Sequence, residues 1–206
     1  MDTALERLAD GACTILGRRL SGLESSRFRK YIQLLVKWQR TQRLIGSTDP
    51  GWIVDNLLLD SLLFLRVLPG RALAVADVGS GAGVPGVPLS IVRTDLRLAL
   101  IESRERRVSF LAAVVRELPL DNARVVSGRV EDVARQMERQ FDAVVMRCAG
   151  NFSKLAVASG PLVVLGGVVI ASGPPAGGRG RLAVGDWVDV PGLNAGSQRG
   201  FAVYRV

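Results

Sequence analysis

The spacing of apolar positions changes character along the chain. Over roughly the first 70 residues it is helical. Ala4–Leu20 reads as a weakly amphipathic helix, and Ser21-Gly22-Leu23-Glu24 is a capping box that opens a stronger one. The stripe of that second helix is Phe28, Tyr31, Ile32, Leu35 and Trp38, with Arg29, Lys30, Lys37 and Arg40 largely off it. Such a basic face is by itself an ordinary solvated surface; an RNA-facing surface is the functional reading. Asp49 before Pro50 starts a third helix, which runs through Trp52, Ile53, Leu57, Leu58, Leu62, Leu63 and Leu65 to a stop at Pro69-Gly70.

Beyond that stop, short apolar runs alternate with helical segments. Strands are predicted over Leu73–Val78, Leu98–Ile101, Ala123–Ser127, Phe141–Met146 and Gly167–Ala171. Val87–Val92 suits the opening of a helix. Ser103 is placed to cap another, with Val108, Leu111, Ala112, Val115 and Leu118 on one face and Pro119 at its end. Phe152–Leu165 reads as a helix with breaks, and Pro174–Gly180 as a flexible loop. Trp187–Val190 and Phe201–Val206 fit a final antiparallel pair across Pro191-Gly192, with no helix-length segment before it. The alternation predicts an α/β fold: a mostly parallel sheet with an antiparallel last strand, and helices on both faces. Residues 1–68 form a helical extension packed on a core of residues 69–206, in one compact unit.

The stretch from Ala72 to Pro88, ALAVADVGSGAGVPGVP, concentrates the chemistry. Four glycines (Gly79, Gly81, Gly83, Gly86) follow the first strand and precede a helix. Glycine is required where the backbone takes positive φ and a ligand approaches closely, and the helix N-terminus beyond offers unpaired N–H groups. A dinucleotide fingerprint would need its third glycine at position 84, which is Val84. A phosphate-binding loop would need a Lys-Ser or Lys-Thr pair, which is missing. What remains is D-x-G-x-G-x-G, headed by Asp77, with Glu102 closing the second strand. A carboxylate there can accept both ribose hydroxyls of a nucleoside cofactor. This is the pattern of Rossmann-like, class I methyltransferases that use S-adenosylmethionine; a purely structural glycine turn is the alternative.

VADVGSGAGVPGVPLSI, followed by LIESRERRVSFLAAVVRELPLDNARVVSGRVED, resembles the small-subunit ribosomal RNA N7-guanine methyltransferase G family, also called glucose-inhibited division protein B. The Val84-Pro85-Gly86-Val87-Pro88-Leu89 extension carries much of that resemblance, which runs from about Leu44 to the end. It implies methyl transfer from S-adenosylmethionine to N7 of a guanine in 16S ribosomal RNA. The implied cofactor site is Asp77, Gly79, Ser80, Gly81, Gly83, Val84, Glu102, Ser103, Val130, Glu131 and Arg147, with Val130-Glu131 on the adenine side. Arg104, Arg106, Arg107, Pro85 and Lys154 are the implied RNA contacts. Two positions depart from the family pattern: Asp55-Asn56 stands where an Arg-His pair is usual, and Ala171-Ser172-Gly173 replaces Leu-Lys-Gly.

Composition narrows the picture further. At 206 residues and 48% hydrophobic the chain suits one folded domain rather than a disordered segment. A net charge of +8, carried almost wholly by arginine, suits a phosphate-rich partner. Genome composition alone also biases toward arginine, so charge supports this reading without deciding it. Arg104, Arg106 and Arg107 sit where a helix start prefers acids, which hints at an external anion. There is no histidine, and two distant cysteines, Cys13 and Cys148, make no metal pattern. They fit a reducing cytoplasm, and the chain is expected to be a monomer. The uncharged run from Leu155 to Gly178 is broken by Gly160-Pro161, Gly166-Gly167 and Gly173-Pro174-Pro175, so no membrane span is expected.

The residues permit more than one chemistry. Guanine N7 presents a lone pair and no proton, so a site without a general base suffices and positioning supplies most of the rate. Met146-Arg147-Cys148-Ala149 lacks the [DN]-P-P-[YF] of exocyclic-amine methylation. Cys148 suggests a rival, covalent attack on a pyrimidine with C5 methylation, although the usual Pro-Cys pair is absent. A non-catalytic cofactor- or RNA-binding module is the third reading.

Overall fold

The computed structural model describes residues 1–70, 73–147, 151–173, 178–194 and 196–206. Its centre is a seven-stranded sheet in the order β3-β2-β1-β4-β5-β7-β6. The strands are β1 (Ala74–Val78), β2 (Arg97–Glu102), β3 (Ala123–Ser127), β4 (Phe141–Met146), β5 (Val163–Ser172), β6 (Asp186–Pro191) and β7 (Gln198–Arg205). β1 to β5 run parallel, and β7 lies antiparallel between β5 and β6. β5 begins four residues before the predicted Gly167. Its register against β4 slips between Phe141 and Ala143, where Gly166 takes φ 79°. A Cβ on Gly167 would lie 2.6 Å from the Asp142 carbonyl oxygen, so the irregularity needs glycine at both positions.

Alternate residues of each strand feed two apolar layers, as the pleat requires. Val75, Leu98, Leu100, Ala143, Val145 and Ile170 face one layer, with the N-terminal helices, α5 (Gly86–Val92) and α6 (Glu105–Glu117). Ala76, Val78, Ala99, Ile101, Val144 and Val169 face the other, with α7 (Val130–Gln136) and α8 (Phe152–Ser159). α7 has no clear signature in the sequence; its seven residues hold only one apolar turn.

The extension comprises α1 (Asp2–Leu16), α2 (Gly22–Gln42) and a helical segment from Pro50 to Arg66. The Ser21–Glu24 box forms as expected, and Asp49 accepts the Trp52 N–H at 2.7 Å. The predicted third helix is irregular. It starts as α3 (Pro50–Ile53), widens into a π turn (Val54–Leu59), returns to α4 (Asp60–Leu62) and tightens to a 3-10 turn (Leu63–Arg66). Leu57, Leu58 and Leu59 are all buried, which a wide turn accommodates on one side. α2 lies against α6 head to tail: Lys30 pairs with Glu117 at 2.9 Å, and Trp38 meets Phe110 edge-on with centroids 5.6 Å apart.

Ser103 does not cap α6. Arg104 is the flanking residue and no side chain caps the helix. Glu102 holds the residues leading into the helix, accepting the Ser103 and Arg104 N–H groups at 2.9 Å each. The buried face of α6 is Phe110, Leu111, Ala113 and Val114, with Val108 and Val115 half-buried and Ala112 exposed. The uncharged run becomes α8, a 3-10 turn and β5. Among the described residues no helix is long and apolar enough to cross a membrane. Of the predicted loop at 174–180, residues 174–177 lie outside the described residues.

Candidate active site

Because β1 to β4 are parallel, their C-terminal ends share one edge of the sheet, and the chain order reverses between β1 and β4. A crevice at such a switch point is where ligands of open α/β sheets bind. Gly79 follows β1, Glu102 ends β2, Gly128 follows β3 and Arg147 follows β4. The residues singled out by spacing therefore converge.

The turn after β1 is tied from within. Gly79, Gly81 and Gly83 take φ of 70°, 56° and 89°, a region costly for residues with a Cβ. The Gly79 and Ser80 N–H groups donate to the Ile101 carbonyl at 2.9 and 3.1 Å, and the Gly83 N–H to the Ser80 carbonyl at 2.6 Å. Tyr31 of α2, fully buried, donates its hydroxyl hydrogen to the Ala82 carbonyl at 2.5 Å. Burial holds the Tyr31 hydroxyl well above its ordinary pKa, so it stays a donor.

Asp77 is fully buried and faces inward. Its Oδ2 accepts the Gly86 N–H at 2.9 Å, and its Oδ1 has no hydrogen-bond partner. A Cβ on Gly86 would lie 2.7 Å from that Oδ2, so only glycine allows the contact. Burial pushes the carboxyl up to about 7, against the lowering effect of the Gly86 N–H. The expectation of unpaired N–H groups at the start of α5 is thereby corrected. Gly86 N–H serves Asp77, and Val87 N–H serves the Gly83 carbonyl at 2.7 Å.

Glu102 is 4% exposed and knits the site together. Besides the two N–H groups at the start of α6, it accepts the Gly81 N–H at 2.9 Å on Oε2. The Arg107 guanidinium stands 3.9 Å from the same oxygen and 3.4 Å from the place of a Gly81 Cβ. A carboxylate offers about four acceptor sites, and three are used by backbone N–H groups. The open face of the turn is at Gly79, which is exposed and has no atom within 4 Å of a would-be Cβ.

Ser103, Arg104 and Arg106 are exposed around this edge, as are Glu131 in the first turn of α7 and Lys154 in the first turn of α8. Val84 and Val130 are buried beneath it. Pro85 is buried as well, which removes it from the expected RNA face. The head-to-tail packing of α2 on α6 carries the exposed Arg40 and Arg43 toward the end of α6 that bears Arg106 and Arg107. Arg147 is half-buried and paired with Asp60 of α4, its Nη2 3.5 Å from Oδ2. Asp60 is not among the sequence-derived candidates. Cys148 lies outside the described residues. Asn56 is exposed and donates its amide to the Trp52 carbonyl at 3.0 Å, a local bond of the π turn, and Ser172 ends β5 half-buried. Among the described residues no group of three or more Cys, Asp and Glu side chains could hold a metal.

A profile of the family described as GidB, rRNA small subunit methyltransferase G, matches residues 24–172, a span holding the turn, Glu102, Arg147 and Asp60. The chain belongs to this family. Relatives of the same description agree. The ribosomal RNA small subunit methyltransferase G of Neisseria meningitidis serogroup C is 36% identical over 198 residues, covering 92% of this chain and 93% of its own. That of Clostridium kluyveri is 32% identical over 171 residues, covering 82% and 72%. Among solved structures, cofactor-bound Rv0187 matches with a TM-score of 0.55 and 13% identity over 85% of this chain and 88% of its own. The O-methyltransferase TomG of Streptomyces achromogenes, in complex with SAM, matches with a TM-score of 0.54 and 17% identity over 84% and 88%. At such identities these structures establish the fold, that of class I methyltransferases.

Proposed function

We propose that the chain transfers a methyl group from S-adenosylmethionine to N7 of a guanine in 16S ribosomal RNA. The observation that carries this is the family match over residues 24–172; the convergence of the glycine turn, Glu102 and Arg147 at one edge of the sheet supports it. The residues fit the cofactor: Gly79 leaves open space above the turn, and Glu102 retains acceptor capacity next to it.

In this reading Gly79, Ser80, Gly81 and Gly83 line the cofactor, with Val84 beneath them, and Glu102 accepts ribose hydroxyls. Ser103, Val130 and Glu131 border the adenine side. Asp77, being wholly buried, shapes the turn through Gly86 rather than touching the ligand. Bound S-adenosylmethionine supplies an electrophilic methyl, so that the N7–carbon bond forms as the carbon–sulfur bond breaks. Arg147 positions the reactants, and no side chain has to remove a proton. Arg104, Arg106, Arg107 and Lys154 meet RNA phosphates, aided by Arg40 and Arg43. Residues 1–68 serve as an extension sharing an apolar layer with the sheet, in one monomeric, cytoplasmic unit. The test is labelled methyl transfer to RNA from cells lacking the protein, with the modified base identified by mass spectrometry. Label found on a pyrimidine would refute the guanine assignment.

A further inference from the structure

The cluster around Asp60 lies outside every role assigned above. Its carboxylate comes from the helical extension but faces the sheet, between the end of β4 and the start of β7. Oδ1 accepts Arg199 Nε at 2.7 Å and Oδ2 accepts Arg199 Nη2 at 3.3 Å, a two-point fork. Arg199 is itself fixed elsewhere. Its Nη1 donates to the Gly173 carbonyl, and its guanidinium stands 5.7 Å from the Phe201 ring centroid. The orientation of Asp60 is therefore set from β7. Its Oδ2 then confronts Arg147 at 3.5 Å, and the Asp60 side chain is only 15% exposed, so screening by water is limited.

The two arginine contacts differ in kind. The fork to Arg199 has hydrogen-bond geometry, whereas 3.5 Å exceeds the usual length of a charge-assisted hydrogen bond. The contact with Arg147 is one of charge at a distance, and among the described residues it takes up none of the five N–H donors of that guanidinium. The π turn ahead of Asp60 matters here. One extra residue in a turn rotates every later side chain by about 100° relative to an unbroken α-helix, and Asp60 is the first residue after it.

We infer that Asp60 is a positioning residue for methyl transfer: held by Arg199, it fixes the Arg147 guanidinium at the end of β4 while leaving its donors for the reactants. This rests on the reading of Arg147 given above. It assigns the helical extension a part in the reaction through a contact that spans 87 residues of sequence.

A double-mutant cycle on the full-length protein tests it, read as single-turnover methyl transfer at saturating S-adenosylmethionine and RNA, with thermal melts checking the fold. Asp60→Asn keeps shape and removes charge. The expected loss is about ten- to a hundredfold, the scale of misplacing a reacting group. Asp60→Glu should recover part of it. In an Arg147→Ala background, Asp60→Asn should cost nothing more. An equal loss with and without Arg147 overturns the inference, as does full activity of a folded Asp60→Asn. Full activity of Arg147→Ala alone would instead overturn the reading of Arg147. Should Asp60→Asn fail to fold, Arg199→Lys asks the same question: a loss that vanishes when Arg147 is absent supports the relay, and one that persists refutes it.

Discussion

The hydroxyl of Tyr31, in the middle of α2, donates to the carbonyl of Ala82, inside the glycine turn, across 2.5 Å of fully buried space. The extension is thereby fastened to the turn itself. Tyr31→Phe keeps the ring and strands a buried carbonyl, which costs about 1–3 kcal/mol. Denaturant unfolding should show that loss. Cofactor affinity should fall with it, because the turn loses its outer brace. An unchanged midpoint would mean that the bond contributes nothing net.

Glu102→Ala tests the cofactor site. Losing the ribose acceptor should weaken S-adenosylmethionine binding by about 1.5–3 kcal/mol, the range for hydrogen bonds to a charged group. Calorimetry reads this directly. Since Glu102 also holds the N–H groups of Gly81, Ser103 and Arg104, Glu102→Gln is the better-behaved companion. It retains the acceptor oxygen for part of that network.

Asp77 makes stability depend on pH in an unusual direction. Its folded pKa of about 7 lies above the ordinary 3.8, so the folded state holds a proton that the unfolded state has released. The contribution of Asp77 is fully present below about pH 4 and is lost as pH rises to about 7, at up to about 1.4 kcal/mol per unit. Above that range it is constant. Asp77→Asn, which can still accept the Gly86 N–H, should remove this slope. Comparing melts of the two proteins from pH 4 to 8 checks it; parallel curves would refute the raised pKa.

These groups are unequally legible in the sequence. Of the five parallel strands, β1, β2 and β4 stand out because each is a short apolar run, buried almost throughout and bounded by glycine or polar residues, whereas the edge strand β3 is only half-buried. The glycine turn and Glu102 are legible because local backbone geometry and strand-end spacing are properties of neighbouring residues. Asp60 is not: its partners lie 87 and 139 residues away, and within its own helix it interrupts a leucine run much as a solvent-facing residue would. Tyr31 reads as one more member of an apolar stripe, since nothing nearby reveals where its hydroxyl goes. Ser103 looks like a cap in the sequence and is none, because the helix starts one residue later, with Arg104 at its cap position, and the carboxylate of Glu102 binds the N–H groups of Ser103 and Arg104 themselves.

RNA binding should weaken steeply with salt. Each phosphate neutralised by Arg104, Arg106, Arg107, Lys154, Arg40 or Arg43 releases counterions, so log affinity falls linearly with log salt at a slope set by the number of contacts. Replacing Arg40 and Arg43 together by Ala should flatten that slope by about one to two units, without altering cofactor binding. A slope indifferent to both would remove α2 from the RNA face.

The last prediction separates guanine-N7 transfer from covalent attack by Cys148. With N7 as acceptor, no protein group must gain or lose a proton in the chemical step. Asp77, titrating near 7, shapes the turn and would tilt the profile in the lower range. Above about pH 8 it is ionised, and from there to about pH 9 the single-turnover rate should be flat, below the guanine N1 and tyrosine range. A thiolate nucleophile would behave differently. The rate would rise with pH toward the thiol pKa, about 8.5 for an ordinary cysteine, because only the ionised fraction attacks. Cys148→Ser retains size and removes the thiolate, so under the N7 mechanism it should keep most of the activity, while Arg147→Ala loses far more through mispositioning. Single-turnover transfer across pH for the parent and both variants decides the matter. A rate climbing through pH 8 to 9 together with a dead Cys148→Ser would overturn the guanine-N7 mechanism.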